Sequence, residues 1–322
     1  MFARLELDRR QQGVCYEDTL PIRTRKVCGS MTNIVNPFEQ QGHWYKANFH
    51  THTTTSDGEA SLEERVQQYS ENGYQVLAIT DHNKTNDVTG LSSDGFLVIS
   101  GMETHPDCPG HYQRYHLLCL NVPHGLEFPE EADANERIRL VKEVGGEMFL
   151  SHPYWSGHSL AHLQAVQGYI GIEVFNSTCT RFGKGFSSVN WDGLLNAGRI
   201  LPAIAVDDTH RGRDIFLGWT MVKAPELTVP AIMDALRKGC YYASCGPIIE
   251  DFRVTDGTVH VECSPATEVH FMCHSFKGTS LYVDDGEPIT QADFTLKEGS
   301  KFVRVEVVDA RGRRAWTNPL VV

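Results

Sequence analysis

The stretch Trp44-Tyr45-Lys46-Ala47-Asn48-Phe49-His50-Thr51-His52-Thr53-Thr54-Thr55-Ser56-Asp57-Gly58 begins as a β-strand and ends in two histidines spaced two apart. On a strand, side chains two apart point to the same face. His50 and His52 therefore offer two imidazoles to one point, which is what a shared metal ion requires. Asp57 follows in a polar Ser-Asp-Gly turn that can return a carboxylate over the same place. A lone His-x-His pair is common and proves little. Its weight comes from the rest of the chain, where residues of the same kind recur at the ends of apolar runs.

Downstream of this stretch the pattern alternates between helix and strand. Ser61 precedes Leu62, Val66 and Tyr69 on one helical stripe, with Glu64 placed to complete a capping box and Asn72-Gly73 as the stop. Val76 to Thr80 and Phe96 to Ser100 are short continuous apolar runs, the signature of buried parallel strands. Glu131 to Val144 reads as a helix, Met148 to Leu150 as a strand and Leu160 to Val166 as a helix. Gly171 to Phe175 reads as a strand, Trp191 to Asn196 as a helix, Leu201 to Val206 as a strand and Pro230 to Lys238 as a helix. Such alternation predicts an α/β fold with a parallel sheet, and this many units predicts closure into a barrel. In barrels of this kind the chemistry sits at the C-terminal strand ends. After Gly246-Pro247 the helical pattern stops. Asp251 to Glu262 reads as a hairpin turning at Asp256-Gly257, and Phe302 to Val308 alternates. The expected organisation is an N-terminal extension over 1–43, a barrel over 44–246 and a small all-β, sandwich-like module over 247–322.

Composition narrows the function classes. The 322 residues carry a formal charge of −12, which argues against broad binding to nucleic-acid backbones. No apolar run approaches the ~20 residues of a membrane span, and the N-terminus lacks the apolar core of a secretory signal. Nine scattered cysteines without a Cys-x-x-Cys pair read as reduced thiols, and a cytoplasmic location is expected.

The strand ends share one chemistry. Ala78-Ile79-Thr80 leads into Asp81-His82, Val98-Ile99-Ser100-Gly101 into Met102-Glu103, and Leu150-Ser151 into His152. His116 opens Leu117-Leu118, and Ala205-Val206 leads into Asp207-Asp208-Thr209-His210. Charged and imidazole groups are costly to bury without partners or metal, so their joint recurrence is informative. With these motifs in hand, the chain resembles the polymerase and histidinol phosphatase, or PHP, family of metal-dependent phosphoesterases over about residues 44 to 245. A looser likeness over Gly239 to Phe252 is to its carbaryl-hydrolase-like branch.

The resemblance implies a distorted (β/α)7 barrel, which agrees with the alternation. It implies one metal held by His50, His52, Glu103 and Asp208 and a second held by Glu103, His116 and His152. A third would be held by Asp57, His82 and His210, with Asp81 orienting a neighbouring ligand. Two or three divalent ions are implied, and mixed imidazole and carboxylate donors suit zinc, manganese or iron. Asp207 can exchange roles with Asp208, although the two-residue spacing to His210 favours Asp208. His105 or His111 can take the place of His116. Glu173 ends another strand and reads as a supporting carboxylate more than a ligand.

The reaction expected is hydrolysis of a phosphate mono- or diester by metal-bound hydroxide at a di- or trinuclear site. Arg181, Lys184 and Arg211 follow strand ends, and Arg181 and Arg211 are the candidates for neutralising substrate phosphate. Tyr154 and Trp155 can stack on a nucleobase. The expected substrate is a small phosphorylated molecule, with nucleotides and short oligonucleotides in the class. The rival readings are a carboxylic or carbamate ester hydrolase and a non-catalytic metal-binding module. His260, His270 and His274 are expected to ligate nothing.

Overall fold

The computed structural model describes residues 34–283 and 286–322. The expected strand at 1–7, the basic run 23–26 and most of the N-terminal extension lie outside them. The first part of the chain runs β1 (His43–Asn48), α1 (Leu62–Ser70), β2 (Val76–Ile79), β3 (Leu97–Thr104), β4 (Leu117–Leu120), α2 (Ala134–Glu143) and β5 (Glu147–Leu150). Next come α3 (Pro153–Ser156), α4 (Leu160–Ala165), β6 (Gly171–Asn176), α5 (Ser177–Thr180), α6 (Ser188–Asn196), β7 (Ala203–Val206), β8 (Trp219–Ala224), α7 (Val229–Lys238) and β9 (Tyr241–Ser244). The remainder is strand: β10 (Ile249–Thr255), β11 (Thr258–Ala266), β12 (Glu268–Cys273), β13 (Thr279–Tyr282), β14 (Ile289–Thr295), β15 (Phe302–Val308), β16 (Arg314–Thr317) and β17 (Leu320–Val321).

Local chemistry explains most boundaries. Ser61 accepts from Glu64 N while Glu64 reaches back to Ser61 N, so α1 starts on the capping box that its sequence encodes. Helix α2 starts at Ala134 and not at Glu131, because the Asp133 carboxylate accepts from Glu136 N and caps it there. Strand β2 is buried on both faces, as its unbroken apolar run requires. Strand β8 alternates half-buried and buried residues, and Trp219 and Met221 of its half-buried face still pack against core clusters.

β1, β2 and β3 pair in parallel, as do β5, β6 and β7. β4 runs antiparallel to both β3 and β5, and β8 antiparallel to both β1 and β9, which departs from the uniformly parallel sheet expected. The connection from β3 to β4 contains no helix, so the chain turns back beside β3 and makes no crossover. Alternate residues of these strands, including Ala47, Ala78, Ile99, Leu118, Phe149 and Ile204, meet in one shared core cluster. Beyond the strand ends Thr51 and Thr209 form a parallel bridge, with His52 N donating to Thr209 O at 3.0 Å. Asp208 N also donates to His50 O at 2.8 Å, which brings the end of β7 beside the end of β1.

The strands after Gly246 divide in two. β10, β11 and β14 form a three-stranded antiparallel sheet, and the turn at Asp256-Gly257 has positive φ at both central residues, as a tight hairpin needs. β12, β13, β15, β16 and β17 join the larger sheet through the antiparallel pair β16–β9. Within the compact unit Met31–Val322 the large sheet has 14 strands.

Candidate metal centre

Glu103 is the centre of the site. It lies near the end of β3, is 1% exposed, and has six imidazoles around its two oxygens. His82 Nδ1 is 2.8 Å away, His116 Nδ1 2.9 Å, His152 Nε2 3.2 Å and His105 Nε2 3.3 Å. His50 Nε2 and His52 Nε2 follow at 3.6 and 3.9 Å. The reversed direction of β4 accounts for His116. It precedes β4, and in an antiparallel strand that start lies at the same end of the sheet as the finish of β3.

The far side of the cluster is carboxylate again. Asp208 Oδ1 lies 2.9 Å from His52 Nε2, 3.3 Å from His50 Nε2 and 3.5 Å from His210 Nδ1. Asp207 faces away, accepting from Tyr69 Oη at 2.7 Å and from the backbone N–H groups of Phe216, Leu217 and Gly218. Burial pushes its carboxyl up to about 6. The adjacent aspartates therefore do separate jobs. Asp57 Oδ1 is 3.4 Å from both His82 Nε2 and His210 Nε2, and those nitrogens are themselves 3.4 Å apart.

Two of these side chains hang from left-handed backbone: His152 has φ 25° and Asp208 φ 54°. Such conformations cost energy and persist where surrounding bonds impose them. His152 N donates to Glu173 Oε2 at 2.8 Å, and Asp208 O accepts from Thr178 Oγ1 at 2.6 Å. Glu173 also binds His50 Nδ1 at 2.6 Å and Asn176 Nδ2 at 2.9 Å. It thus holds His50 with Nε2 toward Glu103 and Asp208, the supporting role its strand-end position suggested.

Asp81, expected to orient a neighbouring ligand, reaches one only through a turn of backbone. Its carboxylate contacts no imidazole; it accepts from Thr53 N, Thr53 Oγ1, Ser56 N, Ser56 Oγ and Asn86 Nδ2. It acts on the Thr53–Ser56 turn that leads to Asp57. Gly58 completes that turn, because a Cβ there would come within 2.5 Å of His52 O. His105 was weighed only as a stand-in for His116, yet both reach Glu103. Its ring also faces Asn83 Nδ2 at 3.0 Å. His111 lies elsewhere, beside Cys108 and His158.

The cluster does not satisfy itself. His50 Nε2, His52 Nδ1, His82 Nδ1, His105 Nε2 and Glu103 Oε2 are buried without a well-formed hydrogen bond. Burial raises the Glu103 carboxyl, but His116 and His50 outweigh it and hold it well below the carboxylate range. Burial pushes His52 and His116 down to about 4. At His82 burial acts in the same sense, but Asp57 and Glu103 override it and raise the ring to about 10. Divalent ions fit this arrangement. Ligand bonds of about 2.1 Å at tetrahedral angles set neighbouring donor atoms about 3.4 Å apart, which is the edge of the Asp57–His82–His210 triangle. His50, His52 and Glu103 form another group able to hold an ion, as do Glu103, His116 and His152.

A cavity of about 350 Å3 opens onto Glu103, Asp208 and His210. Arg181 and Arg211 line it with Trp155, Phe182 and Thr178. Lys184 lies 5.8 Å from the centre of the Tyr154 ring and is not among the lining residues.

Comparison with known proteins gives a consistent frame. Residues 48–148 match the model of the PHP domain. A two-domain protein from Bacteroides vulgatus containing a predicted PHP-like metal-dependent phosphoesterase is similar in structure, with a TM-score of 0.53 at 19% identity. The match covers 86% of this chain and 94% of that one, and the likeness is one of fold. A proposed metal-dependent phosphoesterase from Bifidobacterium adolescentis matches 52% of this chain and 88% of its own, with a TM-score of 0.41 at 17% identity. An amidohydrolase from Chromobacterium violaceum, with sulfate bound and no metal, matches 52% and 89%, with a TM-score of 0.42 at 15% identity. No curated protein matches. Among the described residues no helix is long and apolar enough to cross a membrane.

Proposed function

We propose that this chain, which carries a PHP domain, is a metal-dependent hydrolase of phosphate mono- or diesters. The observation that carries the reading is the buried Glu103 carboxylate with six imidazoles about it and no internal arrangement of hydrogen bonds that satisfies them all. His50, His52, Glu103 and Asp208 would hold one ion, Glu103, His116 and His152 a second, and Asp57, His82 and His210 a third. Bound there, divalent ions would supply activation of water and neutralisation of charge on a phosphoryl group.

The chain's own residues do the rest. Glu173 fixes the His50 ring through Nδ1 and the His152 backbone through its N–H, so two donors keep their aim as substrate enters. Asp81 holds the turn before Asp57. Arg181 and Arg211 line the cavity, and their guanidinium groups would pair with phosphate oxygens, Arg211 in place of its contact with Glu59, which lies 3.5 Å from its Nε. Trp155 lies 5.0 Å from the His152 ring and offers an aromatic wall for the leaving group.

The paired arginines favour phosphate over the carboxylic or carbamate ester alternative, whose transition state carries less charge. The substrate proposed is a small phosphorylated molecule, with nucleotides and short oligonucleotides in the class. The test is turnover of matched phosphate monoesters, phosphodiesters, carboxylic esters and carbamates by protein loaded with zinc, manganese or iron. Phosphate-ester turnover that falls on Arg211→Ala, mainly through KM, is expected. Faster carboxylic or carbamate turnover, unaffected by that substitution, would overturn the assignment.

A further inference from the structure

Away from the cavity, Cys108, His111 and His158 each bring a ligand-type atom to within 4.8 Å of the others. Cys108 and His111 lie in the loop between β3 and β4, and His158 follows α3. His158 is 3% exposed, and neither of its ring nitrogens has a hydrogen-bond partner. Its neighbours explain its packing and not its polarity. The Tyr115 ring is 4.9 Å away, but the Tyr115 hydroxyl donates to His162 O. A buried imidazole with both nitrogens idle is costly, and a bound cation satisfies the nitrogen that carries the lone pair. Cys108 is 5% exposed and presents a thiol to the same point.

We propose that Cys108, His111 and His158 bind one divalent transition-metal ion at a site separate from the ions of the cavity. A thiolate with two imidazoles is the donor set of zinc, and the Cys-x-x-His spacing of 108 and 111 is typical of its sites. His162 stands nearby, its ring 4.8 Å from that of His111 and 6.0 Å from that of His158. Its Nδ1 accepts from Ser159 N at 3.2 Å, so in the neutral ring Nε2 carries the hydrogen and has no lone pair to give. The fourth position is therefore left to water. His111 Nδ1 lies 3.0 Å from Gln113 O and 3.1 Å from Gln113 N, and Nε2 faces Gly157 O at 3.2 Å. Binding through Nε2 moves the ring hydrogen to Nδ1, where Gln113 O accepts it, and gives up the contact with Gly157 O. The proton released comes from the Cys108 thiol as it becomes a thiolate. The ion joins the loop that ends at His116, before β4, to the one that follows α3, the short helix that begins next to His152. Its role is to hold those loops in register, and the assignment stands independently of the reaction at the cavity.

Cobalt(II) tests it directly, because the nine residues assigned to the cavity ions include no cysteine. Full-length protein stripped with chelator and titrated with cobalt should develop a thiolate-to-cobalt charge-transfer band in the near ultraviolet, saturating at one ion per chain. The band should vanish in Cys108→Ser, weaken in the half-buried His111→Ala and persist in His52→Ala. Elemental analysis should find one ion per chain fewer in Cys108→Ser than in the parent. Circular dichroism checks folding, and His111→Ala decides the matter if Cys108→Ser does not fold. Absence of the band at saturating cobalt overturns the proposal. So does a band that survives Cys108→Ser, which would assign the thiolate to Cys179 in the cavity wall.

Discussion

His52 is fully buried, with Nε2 2.9 Å from Asp208 and its ring centre 4.2 Å from those of both His82 and His210. His52 belongs to two of the groups able to hold an ion, so removing it leaves a gap in both. His82 is half-buried and shares its corner with Asp57 and His210. The two substitutions should therefore differ. His52→Ala is expected to lower phosphate-ester turnover about a thousandfold or more at any metal concentration, the loss of several kcal/mol of barrier lowering. His82→Ala should lower it less and recover in part with excess metal. Turnover of both variants across a metal titration, with folding checked by circular dichroism, measures this. Near-native turnover in a folded His52→Ala would place the chemistry elsewhere.

Among the elements, β15 carries the most charge into the interior. Arg304 is 0% exposed, bonds Asp192 of α6 through Nη2 at 2.6 Å and stacks on the Trp191 ring at 4.5 Å. Glu306, 4% exposed, pairs with Arg304 and with Arg314 of β16. Burial raises the Glu306 carboxyl, but the two guanidinium groups outweigh it and hold the carboxyl below its ordinary value. A folded-state value below the unfolded one means that this stabilisation is complete above the ordinary carboxylate range. It is lost as pH falls through the depressed value. Glu306→Gln should destabilise the protein by about 3 kcal/mol at neutral pH, since it leaves two cations short of a partner. The difference from the parent should shrink toward acid pH. Thermal denaturation of both proteins across pH 3 to 8, roughly the window that brackets carboxylate titration, reads the effect. A constant difference across that range counts against the ion pair.

At the scale of the molecule, β9 is the join. It pairs with β8 on one side and with β16 on the other. Trp316 of β16 is fully buried in the cluster that holds Phe175, Ala243 and Cys245. Ending the chain after Gly246 would unpair the β9 edge and open that cluster. Losing a buried Trp alone costs about 3–5 kcal/mol, a large part of a typical stability, and an uncovered strand edge invites association. A fragment of residues 34–246 is therefore expected to aggregate or to lack cooperative unfolding. Size-exclusion chromatography and thermal denaturation check this. A monomeric fragment with a sharp transition would show that the strands beyond it are dispensable.

Most of the metal-type residues are readable along the chain because they flank apolar runs, and period and polarity are local properties. His50 and His52 share a face by strand geometry alone, and the Ser61 cap and the Asp256-Gly257 turn are likewise written in neighbouring residues. Other features depend on contacts between distant segments. The reversal of β4 follows from a connection too short for a crossover, and it puts His116 at the working end. Spacing to His210 favours Asp208 over Asp207 without showing what Asp207 does; Tyr69 and three backbone donors from 216–218 claim Asp207 and leave Asp208 to His50 and His52. β8 is hard to read because Trp219 to Ala224 forms neither an unbroken apolar run nor a clean alternation of apolar and polar residues. The roles of Glu173 and Asp81, and the meeting of Cys108 with His158 from 50 residues away, arise the same way. A buried polar group takes its partner from whatever the fold brings within about 3 Å, and sequence distance carries no record of that.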